Sequence, residues 1–218
     1  MADPYRGGLP IASNEYHFLT RWLVQGDAVE VSAIIADATS LPRWWPAVYL
    51  EVAQLEPGDE KGLGKVVSLY TKGWLPYTLR WQFRVTESDP PHGFTLEAWG
   101  DFIGRGIWAF RQAGEWVEVT YDWKIRADKP LLRRLSWLLK PVFSLNHHWA
   151  MATGERSLRL ELERRHAPTV QEWAAVPAPP GPTTSSPLPL LIVAALAIYL
   201  GAKAIAGRRG SRERLPAG

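Results

Sequence analysis

An α+β domain is predicted for residues Glu15–His166: a bent antiparallel sheet of about seven strands around one long C-terminal helix. Three observations predict it. Tyr77–Thr86 and Trp116–Arg126 alternate apolar and polar residues, the mark of strands with one buried and one wet face. Five weaker runs of the same period are separated by short turn signals, and short connections join antiparallel neighbours. After Pro130 the apolar period becomes helical. A sheet bent around a single helix leaves a pocket between the two.

In chain order, Tyr16–Val24 reads as the first strand. Asp27-Ala28-Val29-Glu30 has the shape of a capping box and starts a helix carrying Val31, Ile34 and Ile35. Pro42 and Pro46 bracket a second short turn that holds Trp44 and Trp45. Strands then follow at Val48–Leu55, Lys65–Thr71, Tyr77–Thr86, Phe94–Trp99, Gly106–Gln112 and Trp116–Arg126. Their turn signals are Glu56-Pro57-Gly58-Asp59, Gly73, Asp89-Pro90-Pro91, Gly104 and Gly114. The closing helix starts near Pro130 and kinks at Pro141. Phe143, His147, Ala150, Met151, Gly154, Leu158 and Leu162 share its apolar face; Arg156, Arg159 and Glu163 lie opposite.

The chain has 218 residues, 46% of them apolar and 22% charged, an ordinary globular composition. The 12 Trp fall almost entirely within Trp22–Trp149, enough aromatic surface for a cavity or for a plain core. With no Cys, this sequence has no disulfide, thiolate metal site or cysteine nucleophile. The net charge of +3 belongs to the tail, where Lys203, Arg208, Arg209, Arg212 and Arg214 face only Glu213. The rest is slightly acidic in sum, so the pI near 9.2 does not argue for nucleic acid.

Residues 1–14 form a Gly- and Pro-containing N-terminus without the features of a secretory signal. After the body, residues 167–187 are a Pro-rich linker and read as an extended, semi-rigid spacer. Residues 188–206 are apolar except for Lys203 and are expected to form a transmembrane helix, with 207–218 as a basic tail. The alternative is a hydrophobic helix lying on a membrane or a partner. The expected location is the membrane, through a single C-terminal anchor, with the folded domain cytoplasmic. A basic tail also favours the cytoplasm, so a short translocated end and a shallow insertion both stay open.

The element order carries a resemblance, together with the LPRWWP run at Leu41–Pro46, Gly62-Leu63-Gly64, Asp101–Gly106 and the NHHWAMATGE helix at Asn146–Glu155. On these the body resembles the START-like (SRPBCC) superfamily, in its polyketide cyclase/dehydrase and lipid-transport branch. The resemblance covers the folded body and neither spacer nor anchor. It implies a helix-grip domain with an apolar cavity between sheet and long helix. Superfamily members include lipid carriers, hormone-binding proteins, aromatase/cyclases and quinone-binding proteins. Strand parity lines such a cavity with Trp81, Phe83, Phe94, Leu96, Trp108, Phe110, Tyr121 and Trp123. Trp45 joins near the mouth, and His147 and Met151 join from the helix. Each aromatic is equally open to a plain core role.

His147 is the polar group on the apolar helix face. It reads either as a hydrogen-bonded core residue or as a general acid or base on a carbonyl substrate. Arg105 is a candidate for orienting an acidic head group at the cavity mouth, against a solvated loop arginine. Asp101 is expected to bond backbone amides. His148 and Glu155 share a flank. Leu131–Lys140 reads as an edge helix or as a membrane-docking one. The five His lack HExxH or H-x-H spacing, so no metal is expected, nor any cofactor. Gly62–Lys65 lacks the frame of a phosphate loop, and no G-x-S-x-G elbow occurs. The sequence therefore points to a membrane-tethered, non-enzymatic domain that binds or transfers a lipid, isoprenoid or polyketide-like molecule. A polyketide cyclase or dehydratase using His147 is the alternative, and a structural or regulatory membrane protein whose vestigial pocket leaves a filled interior is the third.

Overall fold

The computed structural model describes residues 15–127 and 130–184. The strand β1 (Glu15–Gln25) is followed by α1 (Ala28–Ala36), a 3-10 turn (Ala38–Ser40) and α2 (Leu41–Trp44). Six strands come next: β2 (Tyr49–Glu56), β3 (Val66–Lys72), β4 (Thr78–Asp89), β5 (Gly93–Gly100), β6 (Phe102–Ala113) and β7 (Trp116–Ala127). The long helix α3 (Pro130–His166) closes the domain, and a short α4 (Val170–Ala175) lies beyond it. The seven strands form one antiparallel sheet in the order β1-β7-β6-β5-β4-β3-β2. From β2 to β7 each strand pairs with its neighbour in sequence, and the first strand returns to pair with the last.

The alternation read in the sequence sets which face is buried. On β4, Trp81, Phe83 and Val85 are buried and Arg80 and Arg84 are exposed; on β7, Val117, Val119, Tyr121 and Trp123 point inward. Bulges between Tyr49 and Glu51, Gln54 and Glu56, and Val85 and Glu87 add bend to the sheet. Its concave face is covered by α3, which buries Met151, Gly154, Leu158 and Leu162 as its period requires. Ser157 and Glu161 are buried with them, so the covered stripe is wider than the apolar pattern alone indicates.

Local chemistry explains the helix starts. The Asp27 carboxylate accepts from the amides of Val29 and Glu30, capping α1. The reciprocal half of the capping box is replaced by a long-range pair, with Glu30 Oε2 2.8 Å from His166 Nε2. Trp44 and Trp45, between the two prolines, are almost fully buried, and each is worth roughly 2–3 kcal/mol.

Three readings change. Gly104, taken as a turn, lies inside β6, because Asp101 makes the turn and pairing with β7 begins at Phe102. Ala167–Thr184 is not extended throughout, since Thr169 caps the six-residue helix α4. Arg105, taken for a loop residue, lies within β6. Among the described residues no helix is long and apolar enough to cross a membrane; Leu188–Ala206 lies outside them, as do the Leu131–Leu139 side chains of the suggested docking face.

Candidate functional site

Two cavities lie between the sheet and its helices. The first, of about 280 Å³, sits beneath α1 and α2 and is walled by Leu69, Phe83, Val85, Leu96, Trp108 and Phe110 of the sheet. Its other wall is Ala33, Ile35, Leu41 and Trp44, and Lys61, Lys65 and Ser88 stand at its rim. The second, of about 170 Å³, lies under α3 between Tyr16, Phe18, Leu79, Phe102 and Trp123 on one side and Phe143, Asn146, His147 and Met151 on the other. The interior is therefore not filled, which removes the third reading. The larger chamber approaches the lower end of the roughly 300–1,000 Å³ usual for small-molecule sites.

Trp45, Tyr49, Trp81 and Tyr121 line both chambers and form the partition between them. Trp45 meets Tyr49 edge-on at 5.1 Å, and Tyr121 stacks on Trp108 at 4.0 Å. Trp81 is fixed by an Nε1 hydrogen bond to Thr71 Oγ1 at 3.0 Å. Gly106 makes room for this partition, since a Cβ there would come within 2.9 Å of the rings of Tyr121 and Trp123. Burial pushes the Tyr49 phenol well above its ordinary pKa. Burial does the same for Tyr121, with the neighbouring Tyr49 adding to it. Both stay neutral hydroxyl donors.

The polar atoms around the first chamber are mostly engaged by backbone: Ser32 Oγ donates to the Val29 carbonyl, Lys65 Nζ to Ala36 and Ser88 Oγ to Lys61. None of its lining residues is Asp, Glu or His. Trp44 and Trp45 bring indole N–H groups that are buried without a partner among the described residues, as does Trp22 behind them. Buried donors normally find an acceptor. An acceptor-bearing ligand would supply one.

The second chamber adds an imidazole and a carboxylate to its lining. His147 stacks on Phe18 at 4.0 Å, with its Nε2 3.5 Å from Thr20 Oγ1. Burial lowers its pKa to about 4, and the charge of His148 adds to the effect. Asp101 lines the same chamber and accepts from the Arg80 amide at 2.8 Å, bonding across to β4. Asn146 Oδ1 accepts from the amides of Trp74 and Leu75, tying α3 to the β3–β4 loop. Tyr77 stands beside it with its phenol raised by burial and by Tyr16. His148 and Glu155 do not pair: His148 Nδ1 turns to the Ser144 carbonyl and Glu155 to Arg159.

Of the residues chosen from sequence, Phe83, Phe94, Leu96, Trp108 and Phe110 line the first chamber. Trp123, His147 and Met151 line the second, and Trp45, Trp81 and Tyr121 line both. Arg105 reaches neither. It faces outward on β6 and pairs with Glu87 at 3.1 Å, so the head-group role expected for it has no structural footing. Tyr49, Asn146 and Tyr77 were missed. Parity could have found Tyr49, which opens β2; Asn146 and Tyr77 depend on tertiary placement.

No family model and no curated sequence matches the chain. Solved structures do. The Zhui aromatase/cyclase from Streptomyces sp. R1128 aligns with TM-score 0.55 at 17% identity, over 69% of this chain and 95% of that one. A protein of Thermus thermophilus aligns with TM-score 0.52 at 14% identity, over 66% of this chain and 97% of that one. The di-domain ARO/CYC StfQ from the steffimycin biosynthetic pathway aligns with TM-score 0.52 at 15% identity, over 71% of this chain and 53% of that one. The chain shares the fold of these structures, a helix grip in which a bent antiparallel sheet wraps one long helix.

Proposed function

We propose that this domain binds and carries a hydrophobic small molecule, of lipid, isoprenoid or polyketide-like kind, and is tethered to a membrane by Leu188–Ala206. The observation that carries the reading is the divided, aromatic-walled cavity, whose larger chamber has no carboxylate or imidazole in its lining. Apolar walls hold the body of the ligand. Neutral donors, the phenols of Tyr49 and Tyr121 and the indole of Trp45, orient an acceptor at its polar end. The tether rests on the apolar run, which at about 1.5 Å per residue nearly matches the ~30 Å hydrocarbon layer. It keeps the domain concentrated where such ligands reside. Native mass spectrometry of the purified full chain is expected to show a co-purified hydrophobic molecule. A chain that carries none, and takes up none from lipid extracts, would overturn the reading.

A cyclase- or dehydratase-like activity is the second reading, favoured by Asp101 and His147 lining one chamber and by fold likeness to two aromatase/cyclases. Acid–base catalysis works best with a pKa near the operating pH. With its pKa near 4, His147 is a weak base at neutral pH, and this ranks binding above catalysis. If His147→Ala leaves turnover of a demonstrated substrate unchanged, His147 has no part in that activity.

A further inference from the structure

The Pro-rich segment beyond α3 is fastened at two points. Near the end of α3, Arg164 donates to the Pro177 carbonyl. Further along, Thr183 Oγ1 donates to the Gly73 carbonyl at 3.2 Å, and Lys72 Nζ donates to the Thr183 carbonyl. Asn146 crowds Gly73 from the other side, where a Cβ would collide with its side-chain amide. The chain thus doubles back from the C-terminal end of α3 to the level of Asn146. Pro177, Pro179, Pro180 and Pro182 stiffen it on the way. Lys72, Gly73 and Asn146 all belong to the second chamber.

This fixes where the apolar run begins. Leu188 follows Thr184 by four residues, which even fully extended span only about 14 Å. The rims of the two chambers lie at opposite ends of β4, with Leu79 lining the second and Ser88 the first. Roughly 30 Å of strand separates those residues at about 3.4 Å per residue. A chain clipped at Gly73 cannot start a membrane helix beside the Ser88 end without releasing the clip.

We infer that the domain docks on the lipid bilayer with the second chamber facing it and the first turned away, an orientation that rests on Leu188–Ala206 lying in that bilayer. A ligand leaving the membrane then meets Tyr77, Asn146 and Phe143 first. It reaches the larger chamber only past the partition of Trp45, Tyr49, Trp81 and Tyr121.

The chain contains no cysteine, so single-cysteine labels report unambiguously. Full-length Leu145→Cys and Lys61→Cys proteins, each bearing an environment-sensitive fluorophore, are reconstituted into phosphatidylcholine–phosphatidylglycerol vesicles containing a headgroup-quencher lipid. Leu145 is exposed on α3 beside Asn146, and Lys61 stands at the rim of the first chamber. The 145 label is expected to be quenched several-fold more than the 61 label. Thr183→Val combined with a flexible insertion after Thr184 should bring the two together. Equal quenching in the unmodified linker, in protein that floats with the vesicles, overturns the orientation while leaving the tether intact. Failure to float overturns both.

Discussion

Arg43 on α2 grips Glu161 on α3 with two parallel hydrogen bonds of 2.7 Å, Nη1 to Oε2 and Nη2 to Oε1. The Glu161 side chain is 2% exposed and the Arg43 side chain 55% exposed, so the carboxylate is the buried partner. Arg165 adds a third bond at 2.7 Å from its own helix. The fork holds the segment carrying Trp44 and Trp45 against α3, and so fixes one side of the partition between the chambers. Burial alone would raise the Glu161 pKa, but the bonds and charges of Arg43 and Arg165 outweigh it, leaving it below the ordinary carboxylate value.

Glu161→Gln should therefore destabilise the domain by about 3 kcal/mol, near the low end for breaking a buried pair, because Arg43 can return to water. Arg43→Ala should cost less, since Arg165 still satisfies the carboxylate. The depressed carboxyl contributes stability that is present above the ordinary carboxylate pKa and is lost as pH falls through the folded value. Urea denaturation from pH 7 to pH 3 checks this: Glu161→Gln should flatten the acid limb below the carboxylate range.

His147 governs a higher pH window. Its folded pKa, near 4, lies below the unfolded value of about 6.5, so the native state binds fewer protons between them. Its contribution is complete above pH 6.5 and fades as pH falls toward 4, by at most about 3 kcal/mol. His147→Phe should keep stability level across that interval while the parent loses it. Equal losses in parent and variant would mean that burial does not hold the imidazole neutral.

The difference between these two groups shows what a sequence can carry. Period-2 alternation made β4 and β7 legible, and with them most of the aromatic lining, because side-chain direction in a strand follows from parity alone. His147 was visible in the same way, on the apolar face of a helix. Glu161 was not. Its spacing to Arg165 resembles an ordinary surface pair, and its decisive partner is Arg43, 118 residues away. Arg105 was misplaced because Gly104 looked like a turn, so the strand was started at Gly106, one residue too late to include it. Gly104 is a strand residue like Gly106, and their missing side chains admit the backbone at Lys124 and the rings of Tyr121 and Trp123. The division into two chambers was hidden because it depends on how four rings from separate elements meet.

Gly154 offers a test of that meeting. In the interior of an exposed helix Gly→Ala stabilises by about 1 kcal/mol. Here the new methyl group would enter the indole of Trp45, which is packed against Trp22 and Trp44. Overpacking of this kind costs about 1–3 kcal/mol, so Gly154→Ala should lower the denaturation midpoint where helix propensity alone predicts a rise. A raised midpoint would show that Trp45 is free to shift.

Removing the partition should change what the domain accepts. Trp45→Ala deletes a wall shared by both chambers and is expected to cost about 3–5 kcal/mol. Tyr49→Leu is the milder cut, opening the same gap with less lost packing. Calorimetric titration with alkyl probes of increasing length should show affinity levelling off in the parent once a probe outgrows one chamber. In either variant that affinity should continue to rise with length. Arg105→Ala is the control: it removes only an exposed pair with Glu87, so probe affinity should not change and stability should move by no more than about 0.5 kcal/mol. If Arg105→Ala weakens probe binding while Tyr49→Leu leaves its length dependence unchanged, the ligand lies on the outer face of the sheet and the chambers are not its site.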